Sequence, residues 1–313
     1  MTTDDQAHSS AAQAFGRANG SSSATAGDGT AAPCGWSAKG EDGYADLTTV
    51  PASRTVAAQR ATPEIDKAID VIVAEETPIA LVFNGISHAV MMATPADLEA
   101  FALGFALSEG ILDGIDACRD IELHGSSLGI EVHLTIGSAE FARLKDRRRS
   151  LAGRTGCGLC GIDSLAALDL HSGPVARPAW TRALSLDTVM SAMSALPDQQ
   201  PLNALTGGVH AAAWALPDGT LYKVMEDVGR HNALDKLIGW LAQEADGGTV
   251  PEGFVAMSSR ASYELVRKCA RMGYPALTTI SAPSALAIEL ATQAGMALYS
   301  FCRPPKGMTR FVA

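Results

Sequence analysis

Hydrophobic and polar positions divide the chain into a featureless beginning and a patterned remainder. Residues 1–57 show no hydrophobic period of 2 or 3.6 residues, and 22 of the first 33 residues are Ala, Gly, Ser or Thr. Such a composition buries too little apolar surface to offset the entropy that a chain loses when it becomes ordered. We therefore predict that residues 1–57 form a disordered tail.

Short apolar runs and one amphipathic segment follow the tail. The Asn84-Gly85 dipeptide separates two apolar runs and favours the positive φ angles of a tight hairpin turn. After Thr94-Pro95, apolar residues recur at helical spacing up to about Glu109, which predicts a helix with a buried face. The buried positions predicted for this helix are Leu98, Phe101 and Phe105; the predicted strands are Asp70–Glu75, Ile79–Phe83, Ile86–Met92, Ile121–His124 and Ile130–Ile136; and a short basic helix is predicted over Ala139–Arg149. Together these elements predict a small N-terminal α+β unit over residues 58–152.

Strands alternate with helices in the last part of the chain. A hairpin is predicted for His210–Leu216 and Leu221–Glu226 across the turn Pro217–Thr220. Further strands are predicted over Phe254–Met257, Ala276–Ile280 and Met296–Phe301, and helices over Leu234–Leu241, Leu265–Met272 and Ser284–Thr292. This alternation predicts a C-terminal α/β unit over residues 183–313, joined to the first unit by a loop and linker over residues 153–182. The fold class predicted from the sequence is thus α/β, with an α+β organisation overall.

Composition and charge exclude several classes of protein. The 24 Lys and Arg residues against 34 Asp and Glu residues give a net charge of −10, which argues against a protein that coats nucleic acid. No apolar run approaches the roughly 18 residues of a membrane-spanning helix, and the first residues lack the features of a secretory signal. Six cysteines among 313 residues are too few for a disulfide scaffold. We therefore expect a cytoplasmic protein with neither a membrane nor a nucleic-acid partner.

Cys157 and Cys160 form a Cys-x-x-Cys pair within Thr155–Gly161, where three of the seven residues are glycine. Such a pair serves metal binding, dithiol exchange or sulfur carriage. A structural zinc site needs four ligands, and the chain has no second Cys-x-x-Cys pair. A thioredoxin-like pair follows a strand, whereas this pair follows a polar, basic segment. The glycines predict a mobile loop, which favours sulfur carriage by an exposed thiolate, while metal binding and redox exchange stay open as alternatives.

Three loops that join a strand to a helix carry polar residues in the C-terminal unit. Such loops bind ligands in α/β sheets, and helix N-termini with small hydroxyl residues favour phosphate. We therefore predict that the loops meet at one sheet edge and form a pocket for a large, multiply phosphorylated ligand. The loops are Glu226–Lys236, Ser258–Glu264 and Ser281–Ser284, and the basic residues assigned to the pocket are Arg230, Arg260, Arg303 and Lys306.

His210 begins a strand after two glycines, in the segment Thr206–Ala212. A histidine in this position is similar to the His-x-Glu motif of zinc deaminases, but Ala212 stands where the general acid/base Glu is needed. The Cys-x-x-Cys pair also precedes His210 instead of following it. Deaminase chemistry is therefore disfavoured, and His210 is open between a structural and a ligand-binding role.

Taken together, these segments and their order resemble the FdhD/NarQ family, the formate dehydrogenase accessory sulfurtransferases. The resemblance covers the chain from about residue 62 to its end. The segments that carry it are Gly104–Ile111, Thr155–Gly161, Thr206–Ala212, Glu226–Lys236, Ser259–Glu264 and Phe301–Lys306.

The resemblance implies a sulfur carrier with a C-terminal unit like cytidine deaminase but without zinc ligands. It implies that Cys157 takes sulfane sulfur from a cysteine desulfurase as a persulfide, with Cys160 as the second thiol of the catalytic pair. The acceptor it implies is the molybdenum of bis-molybdopterin guanine dinucleotide, the cofactor of formate dehydrogenase, and it favours a homodimer. The residues that we expect to contact this cofactor are His210, Arg230, Arg260, Phe301, Cys302, Arg303, Pro304, Pro305 and Lys306.

Two other functions stay open at this point. The first is a chaperone that holds the cofactor and passes it to the apoenzyme without sulfur transfer. The second is a metal-binding interaction module that uses Cys157 and Cys160. No permanently bound metal is predicted for the leading hypothesis, whose partners are the desulfurase, the catalytic subunit of formate dehydrogenase and the guanine nucleotide of the cofactor.

Overall fold

A computed structural model of the protein describes residues 50–63, 65–149, 173–182 and 184–312. The strands of these residues are β1 (Ser53–Ala61), β2 (Asp66–Ala74), β3 (Thr77–Phe83), β4 (Ile86–Ala93), β5 (Cys118–Ser126), β6 (Gly129–Ile136), β7 (His210–Ala215), β8 (Leu221–Asp227), β9 (Phe254–Met257), β10 (Ala276–Thr279), β11 (Ala297–Arg303) and β12 (Gly307–Val312). The α-helices are α1 (Leu98–Ser108), α2 (Ser138–Arg149), α3 (Ala179–Arg182), α4 (Leu186–Ala195), α5 (Pro201–Thr206), α6 (Arg230–Gly247), α7 (Tyr263–Arg271) and α8 (Ala285–Ala294). None of the described helices is long and apolar enough to cross a lipid bilayer.

The described strands belong to three sheets. Strands β1 and β2 form an antiparallel hairpin, and a four-stranded sheet has the order β4-β3-β6-β5. The third sheet has six strands in the order β12-β11-β10-β9-β7-β8, of which β9, β10 and β11 run parallel. Helices α6, α7 and α8 pack on one face of this sheet and α4 covers the other, while α1 packs against α6 and the four-stranded sheet. The mixed α and β class that the sequence predicts is therefore confirmed.

Two strands depart from the predicted pattern. Strand β1 includes residues 53–57, which the sequence analysis assigns to the tail, because they pair in register with residues 70–74 of β2. Strand β12 was not predicted, because the segment Gly307–Val312 alternates weakly and follows two prolines. It pairs antiparallel with β11 and forms the edge of the six-stranded sheet. Both strands owe their conformation to a neighbouring strand rather than to a strong local pattern.

Several local predictions for the N-terminal elements are confirmed. Asn84 and Gly85 have φ angles of 46° and 79°, as a tight turn between β3 and β4 requires. The side chains of Leu98, Phe101 and Phe105 are all buried in the core. The helix itself begins at Leu98, after a left-handed Asp97.

Helices α1 and α6 touch through their backbones at two glycines. A Cβ atom built on Gly104 of α1 would overlap the carbonyl oxygen of Asp235 and would lie 2.7 Å from the amide nitrogen of Gly239. The reverse substitution at Gly239 would overlap the carbonyl oxygen of Ala100. The two helices therefore depend on glycine at both positions, and their contact joins the first part of the chain to the C-terminal sheet.

Two buried ionic clusters lie beside this helix pair. Asp227 and Lys236 form an ion pair of 2.7 Å with both side chains fully buried. Asp227 also accepts hydrogen bonds from the backbone amide of Thr94 at 3.0 Å and from the side chain of Asn232 at 2.9 Å. The segment before α1 is thereby held against the start of α6.

The second cluster is centred on Lys268 of α7. Its Nζ atom lies 2.9 Å from Asp235 and 2.8 Å from Glu109. Arg267 pairs with Glu109 at 2.7 Å, and Ser108 donates to Asp235 at 2.7 Å. Burial alone raises the pKa of the Glu109 carboxyl, but the charges and hydrogen bonds of Lys268 and Arg267 outweigh it and lower the pKa to about 2. The carboxylate is therefore ionised throughout the neutral range.

Glu109→Gln is expected to lower the free energy of unfolding at pH 7 by up to about 3 kcal/mol, since the lowered pKa of Glu109 measures its stabilisation of the fold. A carboxyl whose folded pKa is depressed stabilises the fold above its unfolded pKa, near 4.5, and loses this contribution as the pH falls through about 2. The difference between variant and wild type should therefore shrink on acidification. Urea denaturation at pH 7 and pH 3 measures both effects.

The exposed Glu252 provides the control, since Glu252→Gln removes the same charge from the surface. We expect this control to unfold like the wild type at both pH values. An equal response of the two variants to acid would show that the Glu109 cluster does not stabilise the fold.

Candidate functional site

The three polar loops predicted from the sequence meet at one edge of the six-stranded sheet. Strands β9, β10 and β11 are parallel, so their carboxyl ends share this edge. Strand β7 runs antiparallel to β9, and its first residue, His210, pairs with Asp227 at the end of β8. We call the surface formed by His210 and the segments 228–231, 258–264, 281–284 and 301–306 the carboxyl edge. The prediction that these loops share one sheet edge is confirmed.

Hydrogen bonds between the loops hold the carboxyl edge together. Ser258 receives a hydrogen bond on its side chain from the amide of Ala211 at 2.8 Å, and its own amide donates to the carbonyl oxygen of Ala211 at 3.0 Å. The amide of Ser281 donates to Ser259 at 3.3 Å, and the amide of Ser284 donates to Ala261 at 3.0 Å. Direct bonds therefore fix the loop Ser258–Glu264 against β7 and the loop Ser281–Ser284 against Ser258–Glu264.

The three helices that begin at the carboxyl edge differ in how their first turns are capped. Ser262 and Ser284 are the N-caps of α7 and α8, and each side chain accepts a hydrogen bond from the helix backbone. Helix α6 follows Gly229 and has no side-chain cap. Free amide groups and the helix dipole at such a terminus favour an anion.

Two arginines lie close together at the start of α6 and α7. Burial and the positive charge of Arg260 lower the pKa of the Arg230 guanidinium, while Glu264 acts in the opposite direction. The Nε atom of Arg230 is buried and has no hydrogen-bond partner in the part of the chain that the structure describes, whereas the side chain of Arg260 is exposed. Two neighbouring guanidinium groups with an unused donor form a site that an anion would stabilise.

Two histidines complete this part of the carboxyl edge. His231 lies 2.8 Å from Glu264 and 3.3 Å from the hydroxyl of Ser262. The hydrogen bond from His231 lowers the pKa of Glu264, which keeps this carboxyl ionised. Burial, Arg230 and His231 lower the pKa of His210, and Asp227 opposes them only in part. His210 is therefore a neutral hydrogen-bonding group at pH 7.

The C-terminal segment of the carboxyl edge presents one aromatic ring and two cations. Phe301 has a φ angle of 54° and is 38% exposed. The Arg303 side chain donates to the carbonyl oxygen of Ile280 at 3.0 Å and lies 5.7 Å from the centre of the Phe301 ring. Pro304, Pro305 and Lys306 form the turn between β11 and β12, with Lys306 exposed.

Cys302 is placed differently from the other residues of the predicted contact segment. Its side chain is fully buried in the core between the six-stranded sheet and α4. Successive side chains of a strand point to opposite faces of the sheet, so Cys302 points away from the face that exposes Phe301 and Arg303. Burial raises the pKa of its thiol to about 11. At the carboxyl edge, therefore, only the backbone of Cys302 is available.

Cys157 and Cys160 lie outside the described residues. Every described cysteine, namely Cys118, Cys269 and Cys302, is buried. Burial raises the pKa of the Cys269 thiol far above its usual range, and the nearby Asp235 adds to this while Lys268 opposes it. None of these three thiols has the exposure that a sulfur carrier needs.

The segment Glu226–Lys236 divides into structural and site-forming residues. Asn232, Asp235 and Lys236 are buried in the ionic clusters described above, so they contribute to packing and not to the carboxyl edge. Glu264 was not assigned as a site residue, although its place in the Ser258–Glu264 loop indicates it.

Comparisons with known proteins find a matching family model and several similar proteins. A model of the FdhD/NarQ family matches residues 74–311, which include the whole carboxyl edge. The chain is 61% identical over 231 residues to the sulfur carrier protein FdhD of Chromobacterium violaceum, covering 74% of this chain and 85% of that protein. It is 56% identical over 243 residues to the sulfur carrier protein FdhD of Burkholderia cenocepacia, covering 76% of this chain and 86% of that protein.

The fold is also similar to that of a solved structure. A crystal structure of a candidate formate dehydrogenase accessory protein from Desulfotalea psychrophila has a TM-score of 0.65 and 25% sequence identity to this chain. The similarity covers 84% of this chain and 98% of the other. Most of the fold is thus shared with another protein.

Proposed function

The chain belongs to the FdhD/NarQ family, and from this membership we propose that it is a sulfur carrier that serves formate dehydrogenase. The sulfur carrier takes sulfane sulfur from a cysteine desulfurase onto Cys157. It passes that sulfur to the molybdenum of bis-molybdopterin guanine dinucleotide, its substrate, before the cofactor enters the dehydrogenase. The observation that carries this proposal is that Arg230 and Arg260 lie close together beside the uncapped N-terminus of α6, with Arg303 on the same carboxyl edge, in a chain of this family.

The carboxyl edge has the chemistry that a guanine dinucleotide requires. Diphosphate groups are bound by arginine forks and by the free amides of helix N-termini. The buried, unpartnered Nε atom of Arg230 supplies such a donor, and Arg260 supplies a second cation beside it. Exposed Phe301 offers a flat apolar surface for a base, next to the Arg303 guanidinium. These groups fit the nucleotide part of the substrate.

The loading step exchanges one persulfide for another. The Cys157 thiolate attacks the terminal sulfur of the desulfurase persulfide, and the desulfurase thiolate leaves. One sulfur–sulfur bond forms and one breaks, so this step needs no oxidant or reductant. Cys160 is the neighbouring thiol that accepts or resolves the persulfide.

Intact-protein mass spectrometry tests the proposal directly. Incubation of the protein with a cysteine desulfurase and cysteine is expected to add the mass of one sulfur atom, and a reductant should remove it. Peptide mapping then places the added sulfur on Cys157. A protein that stays unmodified under these conditions, yet binds guanine nucleotide, would be a cofactor chaperone and would refute sulfur carriage.

The same preparation decides the metal-binding alternative. Zinc bound in stoichiometric amount to protein purified without added metal would favour an interaction module that uses Cys157 and Cys160. No group of three or more His, Cys, Asp or Glu side chains suited to a metal occurs among the described residues. We place the sulfur carrier in the cytoplasm as a homodimer, with the desulfurase as donor and the catalytic subunit of formate dehydrogenase as client.

Replacing both Arg303 and Lys306 with Ala is expected to weaken GDP binding by about tenfold, because two cations are lost from the phosphate-binding surface. The wild-type affinity should also fall as salt is added, since the contacts are partly exposed. Isothermal titration calorimetry at two salt concentrations measures both effects.

A matched control removes the same charge elsewhere. Arg60 and Lys67 are exposed, pair across the β1–β2 hairpin and lie apart from the carboxyl edge in sequence and sheet. The double variant Arg60→Ala, Lys67→Ala should bind GDP like the wild type. Equal affinity in all three proteins would show that the nucleotide binds away from the β11–β12 turn.

A further inference from the structure

Three buried donors in the short segment that precedes α4 have no hydrogen-bond partner among the described residues. Two are the Nε and Nη2 atoms of Arg177, and the third is the indole Nε1 atom of Trp180. Buried polar groups are nearly always satisfied, so unused donors in one segment point to a missing acceptor. The Nε and Nη2 atoms lie on the same side of the guanidinium and form the fork that holds two oxygens of an oxyanion.

The guanidinium group of Arg310 and the phenol of Tyr299 lie in the same region as these donors. Arg310 of β12 pairs in register with Tyr299 of β11. Tyr299 is 2% exposed, and its burial raises the pKa of the hydroxyl, while the charges of Arg310 and Arg177 lower it. Arg310 is thus a cross-strand neighbour of this phenol, and the charge of Arg177 also reaches it. Trp180 packs against the hydrophobic cluster that contains Tyr299, so its indole belongs to the same neighbourhood.

Positive charge and hydrogen-bond donors thus lie together here, and no described group accepts from the buried donors of Arg177 and Trp180. Arg310 reaches the carbonyl oxygen of Leu184 at 3.5 Å, the limit of a hydrogen bond, and the buried fork of Arg177 reaches no described group. Buried donors without an acceptor destabilise a fold. The chain as a whole carries a net charge of −10, so such a local positive group is not part of a general basic surface.

We propose that Arg177, Arg310 and Tyr299 form a phosphate-binding site on the face of the six-stranded sheet that packs against α4. Two cations match a phosphate dianion better than a carboxylate, and a tetrahedral phosphate has enough oxygens to accept from the fork, the phenol and the Trp180 indole. The site shares no residue with the carboxyl edge and does not depend on sulfur carriage. Its ligand is inorganic phosphate or the phosphate of a nucleotide.

Nuclear magnetic resonance of the full-length protein reports on this site separately from the carboxyl edge. The chain has four tryptophans, so the indole signal of Trp180 is assigned by its loss in Trp180→Phe. Titration with inorganic phosphate is expected to shift this signal and the Arg177 Nε–H signal along a saturable curve. A parallel titration with GDP identifies the source, because the physiological donor of the phosphate should saturate the shift at the lower concentration.

Variants show whether the shift comes from the proposed contacts. Arg177→Gln should weaken the apparent affinity for phosphate about tenfold or more, as expected for charged hydrogen bonds. Arg310→Gln, which changes a more exposed residue, should independently have the same effect. Arg182→Gln changes an exposed arginine of the same helical segment, and Arg260→Gln changes the carboxyl edge; both should leave the Trp180 shift intact. Unchanged signals of Trp214 and Trp240 confirm that each variant is folded.

The proposal is overturned if neither phosphate nor GDP shifts the Trp180 signal. It is equally overturned if the shift persists in both Arg177→Gln and Arg310→Gln. A Trp180 shift that disappears in Arg260→Gln would assign the phosphate to the carboxyl edge instead. Because Cys157 takes no part in any of these measurements, their failure would leave the proposed sulfur transfer untouched.

Discussion

Replacing Cys157 with Ala is expected to reduce activation of formate dehydrogenase to the background measured without the sulfur carrier. The variant should also gain no sulfur in the mass spectrometric experiment, because a persulfide needs an exposed, ionisable thiol. The described thiols cannot take over this role, since Cys118, Cys269 and Cys302 are all buried. The measurements are dehydrogenase activity in a strain that lacks the native carrier and the intact mass of the purified variant.

Two cysteine variants control this experiment. Cys34→Ala removes a thiol from the segment whose composition predicts a disordered tail, and it should activate the dehydrogenase fully. Cys160→Ala should lower activation, and the sulfur that remains on Cys157 then shows whether Cys160 accepts the persulfide. Unaltered melting temperature and GDP binding would establish that the Cys157→Ala protein is folded. Full activation by Cys157→Ala with the desulfurase present would refute the assignment of Cys157.

Gly104→Ala is expected to lower the free energy of unfolding by ~3 kcal/mol or more, which is a large part of the stability of an ordinary domain. The added methyl group would overlap the Asp235 carbonyl oxygen and lie 2.7 Å from the Gly239 amide nitrogen. These are backbone atoms of α6, so no side chain can rotate away, and the two helices must separate. Chemical denaturation monitored by circular dichroism measures the loss.

Gly248, which directly follows α6, the helix that Gly104 contacts, provides the control for this prediction. A Cβ atom on Gly248 would meet only the Glu244 carbonyl oxygen, at the ordinary contact distance of 3.8 Å, and its φ angle of 178° suits any residue. Gly248→Ala should therefore unfold like the wild type. If Gly104→Ala is equally stable, the two helices do not depend on backbone contact at this crossing.

Elements with strong local patterns were predicted well, and elements that depend on neighbours were not. The Asn84-Gly85 turn and the buried face of α1 follow from the residues themselves, because turn preference and helical spacing are local properties. Strand β12 has a weak pattern and exists because β11 offers it a partner. Residues 53–57 are a strand for the same reason, through their pairing with β2.

Burial of charged groups depends on residues far away in the chain. Asp227 binds the amide of Thr94, 133 positions earlier, and Lys268 binds Ser108, 160 positions earlier. From sequence, the polar residues of Glu226–Lys236 indicated a ligand-binding loop. In the structure, some of them instead form hydrogen bonds or ion pairs with residues that are distant in the chain. Only the fold distinguishes Asn232 and Lys236, which hold the structure together, from Arg230, which faces the carboxyl edge.

The amino-acid sequence by itself determined the mixed α and β class, the motifs of the FdhD/NarQ family and the gathering of three loops at one sheet edge. These features follow from short-range periodicity and from the rule that parallel strands align their carboxyl ends. Tertiary structure decided which polar residues are buried and that the Cys302 side chain lies in the core. It also decided that the Nε and Nη2 atoms of Arg177 have no hydrogen-bond partner among the described residues. The physical reason is that burial and charge pairing are properties of groups brought together from distant positions, which no local pattern contains.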